Sequence, residues 1–404
     1  MIRQIALSQL VPGMYVVDMH RRWLTHDFWR TRFLVRDSEI IHRMRAAGIS
    51  EVSIDTGRGL DLPARVSHAR LNEIESKYRT LAERIQARPL EVSLEEERRR
   101  AGLLLGDARL TARALMEQAR LGKRIEAARL EPVVQRLIAS IRRHPDALIP
   151  LARLKAGDSY AGEHAVATAT LIAGLGLHLG IPEREIEKLA LGTLLKDVGE
   201  MALDVRLTDK PGLLSEVEFS LVHRHVEESL AVLDASTQLD DASVAVILEH
   251  HERFDGSGYP WRRQGEDISP AGRMAAIVDT YDAMVSDRPY RQALSPAMAL
   301  RQLFAQGGQQ FDPALVASFI RTVGIYPVGT LVRLESGHLA VVQQQNPGLP
   351  LLPVVRVIYH AGRREYVAPF DVDLSWRVGN HYGRVVQAES YRRWGMSAER
   401  WQPV

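Results

Sequence analysis

The sequence predicts a multidomain, mainly α protein. It has a small α/β N-terminal domain over residues 1–62, a long helical connector over 66–143, an all-α domain over 145–325 and a small β-rich C-terminal segment over 326–404. Three observations carry this prediction: short β-rich runs at either end, a long middle whose apolar residues recur at helical spacing, and Gly, Pro and Asp punctuation dividing that middle into separate helices. The 404 residues suffice for two or three domains, and 46% of them are hydrophobic, so a sizeable core can be buried.

In chain order, the first domain rests on the runs Met14-Tyr15-Val16-Val17, Arg32-Phe33-Leu34-Val35 and Glu51-Val52-Ser53-Ile54, with one helical pattern from Ser38 to Ala47 stopped by Gly48. From residue 66 to 143 the composition turns to Arg, Glu, Ala and Leu. Leu103, Leu110, Leu115 and Leu121 fall at helical spacing there, and Arg/Glu runs such as residues 94–100 read as a solvated or coiled-coil-like face. The all-α domain is cut at Gly180-Ile181-Pro182, Asp209-Lys210-Pro211-Gly212, residues 255–260 and Asp287-Arg288-Pro289. After Pro327, Val-rich alternation at residues 330–334, 339–342 and 354–359 predicts a β-meander.

Charge and composition exclude several classes of function. Lys plus Arg (52) against Asp plus Glu (50) leave a net charge of +2, with no like-charge block to track a nucleic-acid polymer. The absence of cysteine removes disulfides, thiol nucleophiles and thiolate metal sites, so any metal must be held by His, carboxylate or water. No stretch approaches the roughly 18 apolar residues of a membrane span, and the N-terminus lacks a signal-like apolar region, so the expectation is a cytoplasmic protein.

Histidine is the informative residue. Six of the 14 lie between residues 164 and 251. His164, His225, His250 and His251, with Asp197 and Asp279, supply the imidazole and carboxylate ligands that a cluster of Mn, Fe or similar divalent ions needs. His178 and His223 fit less well, since His223 lies two positions before His225 and so on another helical face. By the same rule the adjacent His250 and His251 cannot point the same way on a helix, which disfavours one shared ion and favours two neighbouring ions, or one ligand and one supporting residue. The loop Glu252-Arg253-Phe254-Asp255-Gly256-Ser257-Gly258-Tyr259-Pro260 should wall the pocket, Asp279 and Asp282 share a helical face, and Arg288 and Arg291 suit phosphate or guanine contacts.

Each of these residues taken singly has an ordinary explanation as a core histidine, an ion-pair partner or a helix cap. Their joint pattern does not. His250-His251-Glu252, then Asp255-Gly256-Ser257-Gly258-Tyr259-Pro260, then the run from Asp279-Thr280-Tyr281-Asp282 to Arg288-Pro289-Tyr290-Arg291 resemble the HD-GYP branch of the HD phosphohydrolases. The resemblance covers residues 150–325, and Leu10-Val11-Pro12-Gly13-Met14-Tyr15-Val16 looks like a small domain often found upstream. It implies a helical, metal-dependent phosphodiesterase acting on cyclic di-GMP to give pGpG or GMP. Residue by residue, it implies His164, Asp197, His225, His250, His251 and Asp279 as metal ligands, and Arg288, Arg291, Gly258, Tyr259 and Pro260 as substrate-binding residues. Asp197 would bridge a metal pair between which water attacks phosphorus.

The departures from the family pattern are specific. The family's His-Asp step is Lys196-Asp197 here, the lysine expected three residues after the Asp is Glu200, and a family glutamate aligns with Tyr160. A protonated lysine has no lone pair for a metal, yet from this position it can pair with Asp197 and fill the space of an ion, so Lys196 joins Asp197 as a catalytic candidate. Two or fewer ions per chain are expected, and Glu200 should repel the substrate phosphate. Two functions therefore compete: a cyclic di-GMP phosphodiesterase weakened by Lys196 and Glu200, and a module that binds cyclic di-GMP, a diguanylate cyclase or an adaptor without turnover. The helices from about 66 to 143 are expected either to pair with another chain, giving a homodimer through the helical connector, or to pack on the helical domain.

Overall fold

The computed structural model describes residues 2–7, 10, 14–18, 32–35, 40–41, 44–45, 49–58, 92–154, 160–203, 207, 215–233, 239–287, 293–376, 381–398 and 400–401. The chain divides into two compact units, Met1–Lys77 and Tyr78–Val404. In the first, strands β1 (Ile2–Ala6), β2 (Tyr15–Asp18), β3 (Phe33–Leu34) and β4 (Glu51–Asp55) form an antiparallel sheet in the order β1-β4-β2-β3. Ile5 lies opposite Val52, and Val16 opposite Ile54; these four side chains, with Leu7, Leu10, Met14, Val35, Met44 and Ile49, make its core. Of the helix expected over 38–47, residues 40–41 and 44–45 are helical and the others lie outside the described residues.

The second unit is mainly α, as expected. Helix α1 (Leu94–Arg120) starts where the Ser93 hydroxyl accepts the Glu96 N–H and three acidic residues fill the first turn, complementing the helix dipole. Its packing face is made of small residues, Ala101, Ala108, Ala112 and Ala119, with Leu104, Leu105, Leu115 and Met116. Of the leucines picked out by spacing, only Leu115 is in that face; Leu103, Leu110 and Leu121 are exposed, because alanine lets the neighbouring helices approach closely. Glu97 is fully buried, gripped by both guanidinium arms of Arg143 at 2.7 and 2.9 Å and by the Ser140 hydroxyl at 2.6 Å, which fastens α1 to α2 (Glu131–Arg143).

Helices α3 (Pro145–Ala152), α4 (Tyr160–His178) and α5 (Glu183–Leu195) follow, and α4 is buried on all sides from Gly162 to Gly176. Gly192 of α5 lets the backbone at Ser243 come so close that an added Cβ would stand 2.6 Å from its carbonyl oxygen. Helices α6 (Glu216–His223), α7 (His225–Ala231), α8 (Asp241–Glu249), α9 (Pro270–Val285), α10 (Pro296–Ala305) and α11 (Pro313–Val323) complete the helical part. One core runs from Ala101 of α1 to Val323 of α11, so the described helices of the 66–143 segment share it with the all-α segment.

Strands β5 (Leu331–Leu334), β6 (His338–Gln344), β7 (Val354–His360), β8 (Glu365–Asp373) and β9 (Val385–Ala388) form an antiparallel sheet in the order β8-β7-β6-β5-β9. The first four are the expected meander; β9 returns to pair with β5. This sheet is tied to the helices by Arg98 Nη2 to Gln343 O (2.6 Å) and by Gln345 N–H donating to Asp146 at 3.0 Å. Burial pushes the Asp146 carboxyl up to about 6, against the Gln345 hydrogen bond and the charge of Arg98. No described helix is long and apolar enough to cross a membrane.

Candidate metal centre

Five stretches of the helical unit converge on one buried cluster. α4 carries Tyr160 and His164, the turn after α5 carries Lys196 and Asp197, α7 opens with His225, the turn after α8 carries His250 and His251, and α9 carries Asp279 and Asp282. The placement of Asp197 has a local cause. An added Cβ on Gly199 would meet His225 O at 2.2 Å and Ser229 N at 2.5 Å, so only glycine lets the turn after α5 lie directly on α7. The Ser229 hydroxyl donates to Lys196 O (2.7 Å) and accepts from Gly199 N (2.9 Å), holding Asp197 beside His225.

Asp197, His225, His250 and His251 form one group whose candidate ligand atoms all lie within 4.8 Å of one another. The Nδ1–H of His225 donates to Val222 O (2.7 Å) and that of His250 to Ile247 O (2.9 Å), an assignment fixed by the carbonyl acceptors. Each Nε2 then carries a lone pair, and the two face each other at 3.5 Å, with Asp197 Oδ1 3.4 Å from that of His250. Burial pushes the titration of all three imidazoles down, so they are neutral, the form that binds a metal. The donor set therefore fits a divalent ion.

The helical spacing that disfavoured one shared ion for His250 and His251 is not the geometry found, and both fall in this one candidate group. α8 ends at Glu249, so both histidines sit in the turn beyond it, with ring centroids 4.0 Å apart, and the 100° spacing of a helix does not apply. His223, set aside on the same rule, is outside the ligand groups among the described residues yet belongs to the site's wall. Its ring stacks on Tyr259 at 3.4 Å, and Tyr259 stacks on His251 from its other neighbour at 4.6 Å. The loop is fixed by Glu252, which accepts the Trp261 and Arg263 N–H groups at 2.8 and 3.1 Å, and by Gly258, where a Cβ would meet Arg253 N at 2.4 Å. His178 lies elsewhere, beside Arg321.

His164, Asp197 and Asp279 form a second group. Within it stands the fully buried Lys196 ammonium, bonded to Asp197 Oδ2, to Asp279 Oδ1 at 2.6 Å and to His164 Nε2 at 3.1 Å. Burial is the largest single effect and works against the charge on Asp197 and Asp279, yet Lys196 together with the neighbouring imidazoles, His250 and His164 at Asp197 and His164 and His251 at Asp279, holds both carboxyls well below the usual range. Asp282, noticed only for sharing a face with Asp279, accepts the Nδ1–H of His164 at 2.7 Å and so orients that ring. Its i+3 spacing from Asp279 was the one available signal. Tyr160, at the family glutamate's position, stacks on His164 at 5.3 Å. Glu200 is close enough to Tyr259 for its charge to raise the phenol's titration, after the larger effects of burial and Asp279. Arg288 and Arg291 lie outside the described residues.

Comparison with known proteins agrees with this chemistry. An HD domain family matches residues 133–315, and a domain family of unknown function matches 2–130. A cyclic di-GMP phosphodiesterase of Pseudomonas aeruginosa is 38% identical over 98% of this chain and 94% of its own. A cyclic di-GMP phosphodiesterase response regulator of Xanthomonas campestris is 35% identical over 46% of this chain and 51% of its own. A 3′3′-cGAMP-specific phosphodiesterase of Vibrio cholerae is 35% identical over 38% and 30%, respectively. Among solved structures, an HDG"Y"P protein from Bdellovibrio bacteriovorus covers 79% of this chain and 98% of its own at 16% identity, with a TM-score of 0.47.

Proposed function

Because the chain belongs to the HD-GYP family, we propose that it is a metal-dependent phosphodiesterase that opens cyclic di-GMP to pGpG and then GMP in the cytoplasm. The observation that carries the proposal is the set of lone pairs on His225 and His250 facing each other at 3.5 Å beside Asp197. A bound Mn or Fe ion would supply Lewis acidity at the phosphodiester and lower the cost of deprotonating the attacking water.

The remaining work falls to the chain itself. Asp197 turns one oxygen toward the imidazoles and the other toward Lys196, so it aligns the two halves of the site. Lys196, bonded to Asp197 and Asp279, balances their charge and holds Asp197 in place beside the imidazoles. Tyr259, clamped between His223 and His251, holds the His251 ring and gives an aromatic surface beside the bound nucleotide, with Gly258 and Pro260 shaping the loop. Arg288 and Arg291 are assigned to the dinucleotide by the family pattern. Glu200 opposes the phosphate and weakens binding.

A second reading, binding of cyclic di-GMP, a diguanylate cyclase or an adaptor without turnover, is favoured by the ammonium standing within the second ligand group. A homodimer through α1 would use the exposed Leu103, Leu110 and Leu121, and light scattering on the full chain tests it. The test of function is product analysis with the full chain, Mn²⁺ and either cyclic di-GMP or 3′3′-cGAMP. Linear product from cyclic di-GMP, lost in His225→Ala, supports the proposal. Binding without product selects the second reading, and faster cleavage of 3′3′-cGAMP reassigns the substrate.

A further inference from the structure

We propose that the centre is built for one divalent ion, in the Asp197, His225, His250 and His251 group, and that the Lys196 ammonium is the permanent cation of the His164, Asp197 and Asp279 group. This rests on the metal-dependent reading above and specifies its stoichiometry. The two groups share Asp197 but divide its oxygens. Oδ1 lies 3.4 Å from His250 Nε2, while Oδ2 is bonded to Lys196. A carboxylate that bridges two ions with one oxygen on each needs both oxygens open, and here one is already engaged.

In the second group one ligand atom of each residue is already engaged by Lys196. An ammonium has three hydrogens, and Lys196 directs them at the three ligand atoms of that group: Asp197 Oδ2, Asp279 Oδ1 at 2.6 Å and His164 Nε2 at 3.1 Å. Asp282 accepts from Nδ1 of His164 at 2.7 Å. Nε2 of His164 then either accepts from Lys196 or, if protonated, donates to Asp279 2.9 Å away, and in neither form is its lone pair open to a metal. An incoming ion would have to expel a side chain that is wholly buried. The first group is the opposite case. No ammonium or guanidinium hydrogen-bonds to the rings of His225, His250 or His251 among the described residues, and two lone pairs face each other across 3.5 Å. Two groups with similar ligands thus differ in one respect: one already contains its positive charge.

The test counts ions independently of activity. The full-length protein is stripped with chelator, loaded with excess Mn²⁺, desalted and assayed for metal by elemental analysis, with electron paramagnetic resonance of the bound Mn²⁺. We expect one ion per chain with the spectrum of an isolated Mn²⁺. Lys196→His, which removes the ammonium and adds an imidazole, is expected to raise the count to two and to give the spectrum of a coupled pair. Two ions in the wild type overturn the inference, as does none. A folded Lys196→His protein that stays at one ion also overturns it; if that variant does not fold, Lys196→Gln is counted instead against the same expectation. The two readings fail separately: one ion without cleavage of cyclic di-GMP sinks the proposed function alone, whereas two ions with cleavage sinks this inference alone.

Discussion

Lys196→Met probes the electrostatics of the centre directly. Methionine keeps the length and much of the volume of lysine but carries no charge. The wild-type ammonium is fully buried, bonded to Asp197 and 2.6 Å from Asp279 Oδ1. Its removal leaves two buried carboxylates with no ammonium between them and the His164 ring against both, at 2.9 Å from Asp279 and 3.6 Å from Asp197, and breaking a buried ion pair by deleting one partner costs about 3–5 kcal/mol. For a unit of this size each kcal/mol moves the midpoint by roughly 1.5 °C, so Tm in chelator should fall by about 4–7 °C. The sign of the pH dependence follows from the depressed carboxyls. Lys196 stabilises the wild type above the ordinary carboxylate pKa, and that stabilisation is lost as pH falls through the lower, folded-state values. The gap between variant and wild type should therefore close as the solution is acidified. Added Mn²⁺ should restore the variant near neutral pH, by about 2.7 kcal/mol at a hundredfold excess over Kd. A variant that melts with the wild type in chelator, or that Mn²⁺ does not stabilise, would refute the reasoning.

Three further outcomes are expected. The Asp146 carboxyl, raised to about 6, costs stability above that pH, and the cost is relieved as pH falls from about 6 toward its ordinary value. Allowing for its partial exposure, Asp146→Asn should be about 1–2 kcal/mol more stable than wild type near pH 7 and equal to it near pH 4, by denaturant titration; an advantage independent of pH would show that charge is not the cause. Tyr259→Phe keeps the stacks on His223 and His251, whereas Tyr259→Ala removes them. Calorimetric Mn²⁺ titration should show little change for Phe and a tenfold to hundredfold loss for Ala, roughly the scale for a lost supporting contact, and equal losses in both would discard the stacking role. Lys196→His with Glu200→Lys restores an imidazole beside Asp197 and a cation for phosphate. The pair should raise turnover by roughly ten- to a hundredfold and by more than the single gains combined, and a double variant slower than wild type would make Lys196 a working part of the mechanism.

Much of the centre was legible because its chemistry depends on residue type. Imidazoles and carboxylates spread over residues 164–279 have few roles in common other than a metal, and Lys196 in a ligand's place could be read as a resident cation before any geometry was known. What escaped depended on where helices end. The opposed faces assigned to His250 and His251 presumed a helix through residue 251, whereas α8 stops at Glu249. His223 entered the site through stacking on Tyr259 across more than thirty intervening residues, which no local periodicity encodes. Along α1 the leucine spacing drew attention to Leu103, Leu110 and Leu121, which are exposed, while alanines do the packing; apolar periodicity does not register how close small residues let helices come.

The most direct measurement of the central claim is the rate of cyclic di-GMP cleavage as chelator-stripped protein is titrated with Mn²⁺, with product identified at each point. The account predicts no cleavage without metal, a rise with the first equivalent, saturation at one ion per chain and pGpG as the first product. Absence of product at every Mn²⁺ level, or activity that begins only with a second equivalent, would contradict it.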